Sequence, residues 1–208
     1  MKLRVFSAAA IAACVLSSIP AFADTTFSHP SDHGDAYYAD VSQSIADNFT
    51  LASQSTFNTL TWNGISTNGV EPSSFNIAFY ADSGGAPGAL LLTEDVATPV
   101  EIDTGIPNAG FEEYLYTANF GPLTFAGGTQ YWVGITANTN FQFAWGTSSV
   151  GDGAFYHLGN GPVGGADLAF GLSSNAAPST TPEPSSIMLL ATGALGIAGA
   201  ARKRFLRA

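Results

Sequence analysis

Between residues 45 and 172 large apolar side chains recur at every second position. Phe75-Asn76-Ile77-Ala78-Phe79 shows the period of a half-buried strand. Tyr114, Tyr116, Ala118 and Phe120 repeat it. Tyr131, Val133 and Ile135 repeat it again, with Trp132, Gly134 and Thr136 on the opposite face. Further strands are predicted over 45–51, 56–62, 89–96, 141–145, 154–158 and 167–172. Turn residues punctuate them: Asn63-Gly64, Asp82-Ser83-Gly84-Gly85, Pro107-Asn108-Ala109-Gly110, Gly127-Gly128 and Gly151-Asp152-Gly153. No stretch of this region carries a convincing amphipathic helical period. About eight or nine short strands at this spacing predict an all-β domain, a jelly-roll-like β-sandwich, with an immunoglobulin-like sandwich as the second choice.

Two apolar runs at the ends follow a different rule. Lys2 and Arg4 precede an apolar stretch from Val5 to Ile19, and Ala21-Phe22-Ala23 supplies small residues where a signal peptidase needs them. Residues 1–23 are therefore read as a signal peptide cut after Ala23. The competing readings are a retained membrane helix and a lipobox at Ile11-Ala12-Ala13-Cys14, whose preceding apolar run is short. At the other end, Pro184 to Ala201 is uncharged over 18 residues, about 27 Å as a helix, an adequate span for a bilayer core of ~30 Å. Arg202, Lys203, Arg204 and Arg207 then form a basic stop signal that stays cytoplasmic. The expected layout is a signal peptide at 1–23 and a β-sandwich at 24–172. A Ser/Thr/Pro linker follows at 173–183, then a single transmembrane helix with a basic tail at 184–208.

Charge sharpens this division. All six Lys and Arg lie in the two terminal segments, while residues 24–181 hold 15 of the 16 acids. An acidic domain without basic side chains is a poor partner for nucleic acid or bare anionic lipid. The sole cysteine, Cys14, falls in the signal peptide, so the exported domain has no disulfide to rely on. Without Lys or Arg nearby, each carboxylate must be solvated, bonded to backbone, or bound to a cation.

The C-terminal order, Pro182-Glu183-Pro184, an apolar helix, then Arg202-Lys203-Arg204, resembles the PEP-CTERM sorting signal over about 27 residues. The resemblance implies handling by an exosortase, a membrane transpeptidase-like enzyme of Gram-negative bacteria that make extracellular polysaccharide. It implies a transient membrane insertion followed by delivery to the cell surface or matrix. Asp47-Asn48-Phe49-Thr50-Leu51, Trp62-Asn63-Gly64, the stretch from Phe79 to Gly88 and Tyr131-Trp132-Val133 are similar to segments that recur among cargo proteins of this class. That second resemblance implies a surface or matrix protein and carries over no catalytic residue.

Chemistry-bearing residues are sparse. Ala81-Asp82-Ser83-Gly84-Gly85 superficially resembles the nucleophile segment of chymotrypsin-like proteases, but the flanking residues of that motif are missing and the segment reads as a turn. No Gly-x-Ser-x-Gly elbow is present. His29, His33, Asp32 and Asp35 make a short cluster with zinc-ligand chemistry, here expected to be a mobile, solvated arm; His157 is expected to be a partly buried strand residue. Asp82 and Asp152 sit in Gly-rich turns and are the candidates for a structural calcium ion; no other cofactor is expected. Trp62, Trp132 and Trp145, with Tyr37, Tyr38, Tyr80 and Tyr156, are the aromatics suited to stacking on sugars; most are expected to pack inward, but by parity Trp132 faces away from the core, which makes it the candidate ligand platform. The expected function is that of a non-catalytic surface or extracellular-matrix protein, polysaccharide-associated or adhesive, with signal peptidase, exosortase and exopolysaccharide as partners. The rival is an extracytoplasmic polysaccharide hydrolase working through paired carboxylates.

Overall fold

The computed structural model describes residues 26–140 and 142–174. The signal peptide with Ala21 and Ala23, the Pro182-Glu183-Pro184 motif, the sorting helix and the basic tail lie outside the described residues. The described part is all β. In chain order its strands are β1 (Thr26–His29), β2 (Ala36–Tyr38), β3 (Ile45–Thr50), β4 (Ser55–Ser66), β5 (Ser74–Asp82), β6 (Pro87–Ala97), β7 (Val100–Asn108), β8 (Phe111–Phe125), β9 (Gln130–Ala137), β10 (Phe143–Ser148), β11 (Ala154–His157), β12 (Gly161–Gly164), β13 (Asp167–Leu168) and β14 (Phe170–Ser173).

They form two antiparallel sheets. The six-stranded sheet runs β12-β11-β3-β9-β5-β6. The eight-stranded sheet runs β1-β14-β4-β10-β13, with β8 also on β4, β7 on β8, and β2 on β10. Alternation dictates which side chains meet between the sheets. From one sheet come Leu60, Trp62, Tyr116 and Phe143, and from the other Phe49, Phe75, Phe79, Val133 and Ile135, all buried. Trp62 stacks on Tyr116 with centroids 5.5 Å apart and 16° between planes, and Phe75 meets Trp62 edge-on at 5.1 Å. A core this rich in interlocking aromatics explains how the domain holds together without a disulfide.

Three sequence-based expectations are corrected here. Asn63-Gly64 is not a turn but the interior of β4. A Cβ on Gly64 would lie 2.3 Å from Cζ of Phe143, so the glycine serves close packing between β4 and β10. The region from 167 to 172 is two strands, because the chain breaks at Ala169, whose N–H bonds Gly146 O at 2.8 Å. The N-terminal arm is docked rather than solvated. β1 pairs with β14, β2 pairs with β10, and between them Asp32 N–H donates to Thr147 O at 3.0 Å while Thr147 Oγ1 donates to Asp32 Oδ1 at 2.7 Å.

Candidate functional site

The outward face of the six-stranded sheet carries the aromatic candidates. Register places Asn48, Trp132 and Tyr80 in one row across β3, β9 and β5, and Ala46, Gly134 and Ala78 in the next, with Tyr156 on β11 beside Ala46. Small residues in that second row leave room for rings to lie over the sheet. The Tyr80 ring edge is 3.4 Å from the position a Cβ on Gly134 would take. Trp132 and Tyr156 pack edge-on with centroids 5.8 Å apart.

Parity puts Trp132 on the outer face as expected, yet it is only 3% exposed. This corrects its role as an open ligand platform. The indole is flanked by Tyr80 and Tyr156, and its Nε1–H donates to Asp82 Oδ1 at 2.9 Å. Both tyrosines remain half-buried, so each keeps an accessible portion. Burial pushes the Tyr80 phenol upward, so it stays a neutral hydrogen-bonding group. The indole hydrogen bond holds the Asp82 carboxyl below the usual carboxylate range, helped by N–H groups of the Ser83-Gly84-Gly85 turn. Further along the same face lies a cavity of about 320 Å³ lined by Asn76, Asp95, Thr136 and Asn138 among others, with Asn76 Nδ2 donating to Asp95 Oδ1 at 2.8 Å.

The two calcium candidates sit apart, Asp82 at the end of β5 and Asp152 in the loop before β11. Asp82 is committed to Trp132 and to Gly85 N–H. Asp152 accepts from Asn48 Nδ2 at 3.0 Å and from Ala154 N–H at 3.1 Å. Neither belongs to the one group of His and acid ligand atoms that the described residues bring together, which is His29, Asp47 and Asp167. Sequence reasoning missed this group because its members come from β1, β3 and β13. One signal was available: Asp47 shares strand parity with Ile45 and Phe49, which places a carboxylate on the core face. Burial raises the Asp47 pKa, partly opposed by His29 and by the N–H groups of Leu168 and Asn48.

A second buried acid, adjacent to Glu112 in sequence, was not foreseen as buried. Glu113 is fully buried on the outer side of the eight-stranded sheet, beneath the arm that joins β1 to β2. Its Oε1 accepts from Ser31 Oγ at 2.7 Å and Asn108 Nδ2 at 2.8 Å, and its Oε2 from Asn63 Nδ2 at 3.1 Å. His33 Nδ1 lies 2.7 Å from Oε2. The serine hydroxyl points at the carboxylate rather than at the second ring nitrogen of the histidine, so Ser31, His33 and Glu113 lack the order of a nucleophilic relay. They fasten the arm to the sheet. Asp82-Ser83-Gly84-Gly85 is a turn as expected, closed by Ser83 N–H on Ala86 O at 2.9 Å. His157 is half-buried on β11, 3.3 Å from Gln43 Nε2.

Residues 180–204 match the family model of the PEP-CTERM protein-sorting motif. No curated protein matches the chain.

Proposed function

We propose that this exported, exosortase-sorted protein uses its β domain as a non-catalytic module that holds neutral polysaccharide at the cell surface or in the matrix. The sorting motif at 180–204 supports the route: export, processing by an exosortase and a surface-associated destination. Signal peptidase cleavage after Ala23 and passage through a single-span membrane precursor belong to this reading. So does a jelly-roll-like wiring, supported by successive strands that cross repeatedly between two antiparallel sheets.

The observation that carries the binding role is the outer face of the six-stranded sheet. Tyr80 and Tyr156 flank Trp132 over a floor of small residues, with Asn48, Asn76, Asp82 and Asp95 around them. Pyranose rings present apolar C–H faces to aromatic rings and hydroxyls to amides and carboxylates, and this face offers both. Residues 26–174 contain acids and no Lys or Arg, so a neutral glycan suits the face better than an anionic one.

The rival hydrolase reading needs two reachable carboxylates. Asp47 and Asp167 approach within 4.8 Å, close to the roughly 5 Å of a retaining glycosidase, but they are 0% and 4% exposed, out of a sugar's reach. The test is retention of the purified protein on the producer's own exopolysaccharide, fractionated into neutral and anionic pools. Retention on the neutral pool, reduced in Tyr80→Ala and Tyr156→Ala, supports the reading. No retention on either pool rejects it, and release of reducing ends would favour the hydrolase.

A further inference from the structure

His29, Asp47 and Asp167 meet between the two sheets. Each offers one ligand atom, and these atoms lie within 4.8 Å of one another, with the three residues 8%, 0% and 4% exposed. Both carboxylates are oriented by backbone. Asn48 N–H donates to Asp47 Oδ1 at 2.8 Å and Leu168 N–H to Oδ2 at 2.7 Å. Asp152 N–H donates to Asp167 Oδ1 at 3.0 Å and Gly153 N–H to Oδ2 at 2.8 Å. A carboxylate oxygen has two lone pairs, so one such bond leaves capacity on each. Gly151 belongs to the same arrangement, since a Cβ there would fall 2.2 Å from Asp167 Oδ1.

The histidine supplies an independent observation. His29 Nδ1 is buried and has no hydrogen-bond partner, and its side chain is 9% exposed. It lies 3.7 Å from Asp47 Oδ2, too far for a hydrogen bond. The ring nitrogen lacks a hydrogen-bond partner, and the two buried acids it faces, though each accepts two backbone N–H bonds, have no Lys or Arg in the domain as counter-charge. A cation between them removes both deficits.

We propose that His29 Nδ1, Asp47 Oδ2 and a carboxylate oxygen of Asp167 bind one divalent transition-metal ion, zinc by ligand class. Ions of this kind sit about 2.0–2.2 Å from imidazole nitrogen and carboxylate oxygen, so two ligands on one ion stand roughly 3–4 Å apart. The His29–Asp47 separation of 3.7 Å falls in that interval. Calcium and magnesium prefer all-oxygen shells, which the imidazole argues against. The ion would tie β1 to β3 and β13, and so join the two sheets where the N-terminal strand closes the sandwich. It would cross-link a domain that lacks cysteine.

The test strips the purified protein with a chelator and titrates zinc chloride, with calcium chloride in parallel. Bound metal is measured by mass spectrometry, and the ring nitrogens of the three histidines by NMR. One zinc per chain is expected, with the His29 ring resonances shifting and the melting temperature rising by about 5 °C or more at saturation. His29→Gln should weaken zinc binding by at least about tenfold, as expected on losing one of three ligands. If that variant fails to fold, the wild-type histidine spectrum decides. Zinc that shifts only His33 or His157, binding that His29→Gln leaves unchanged, or no bound zinc would each overturn the proposal.

Discussion

Trp132 donates its indole N–H to Asp82 Oδ1 at 2.9 Å, and this bond fastens the β5–β6 turn to β9 on the outer face of the six-stranded sheet. The bond is strongest to the ionised carboxylate. Folding lowers the Asp82 pKa below its ordinary 3.8. Its stabilising contribution is therefore complete above that value and disappears as pH falls through the lower folded pKa. Indole emission followed from pH 6 downward should change within this acid range in the wild type. In Asp82→Asn the same emission change should be absent, while Asp152→Asn should leave it in place.

Gly64 is held in the core by a close aromatic neighbour. With its Cβ position 2.3 Å from Phe143 Cζ and 3.1 Å from Ala144 O, Gly64→Ala must push an aromatic side chain out of a packed core. The expected cost is about 1–3 kcal/mol, read as a lower urea midpoint with an unchanged slope.

Glu113→Gln preserves shape but not acceptor capacity. An amide presents NH₂ where the carboxylate accepted, so whichever way it is turned it sets a donor against Asn63 Nδ2 or Asn108 Nδ2, and that contact is lost. A loss of about 1–3 kcal/mol is expected. Hydrogen exchange should quicken first at the arm, at the Asp32 N–H that bonds Thr147 O.

Glu183 is the middle residue of Pro182-Glu183-Pro184, within the sorting motif matched over 180–204. Glu183→Ala should leave the full-length precursor in the membrane fraction, whereas the wild type should be processed and leave that fraction. Fractionation followed by immunoblotting measures the ratio.

The sequence made the sheet interiors legible wherever aromatics recur at period two, as in β5, β8 and β9. It did not reveal β1, β2, β7 or β12, which are short, polar or interrupted by Gly and Pro, and which form through pairing with distant strands. Asn63-Gly64 reads as a turn because the local signal is the same as for a glycine that admits Phe143. For Trp132 parity gave the correct face and the wrong exposure, since covering by Tyr80 and Tyr156 depends on cross-strand register. His29, Asp47 and Asp167 have no local spacing to recognise. Only the inward parity of Asp47, in a domain without basic residues, hinted at them.

The central claim is that the outer face of the six-stranded sheet holds neutral polysaccharide. Its most direct test is NMR mapping of the isotopically labelled protein with neutral oligosaccharides cut from the producer's exopolysaccharide. The account predicts saturable shifts at Tyr80, Tyr156, Asn48 and Asn76, reduced by at least about tenfold in apparent affinity in Tyr80→Ala, as expected on losing an aromatic anchor. Shifts confined to the eight-stranded sheet, or none at saturating sugar, would contradict it.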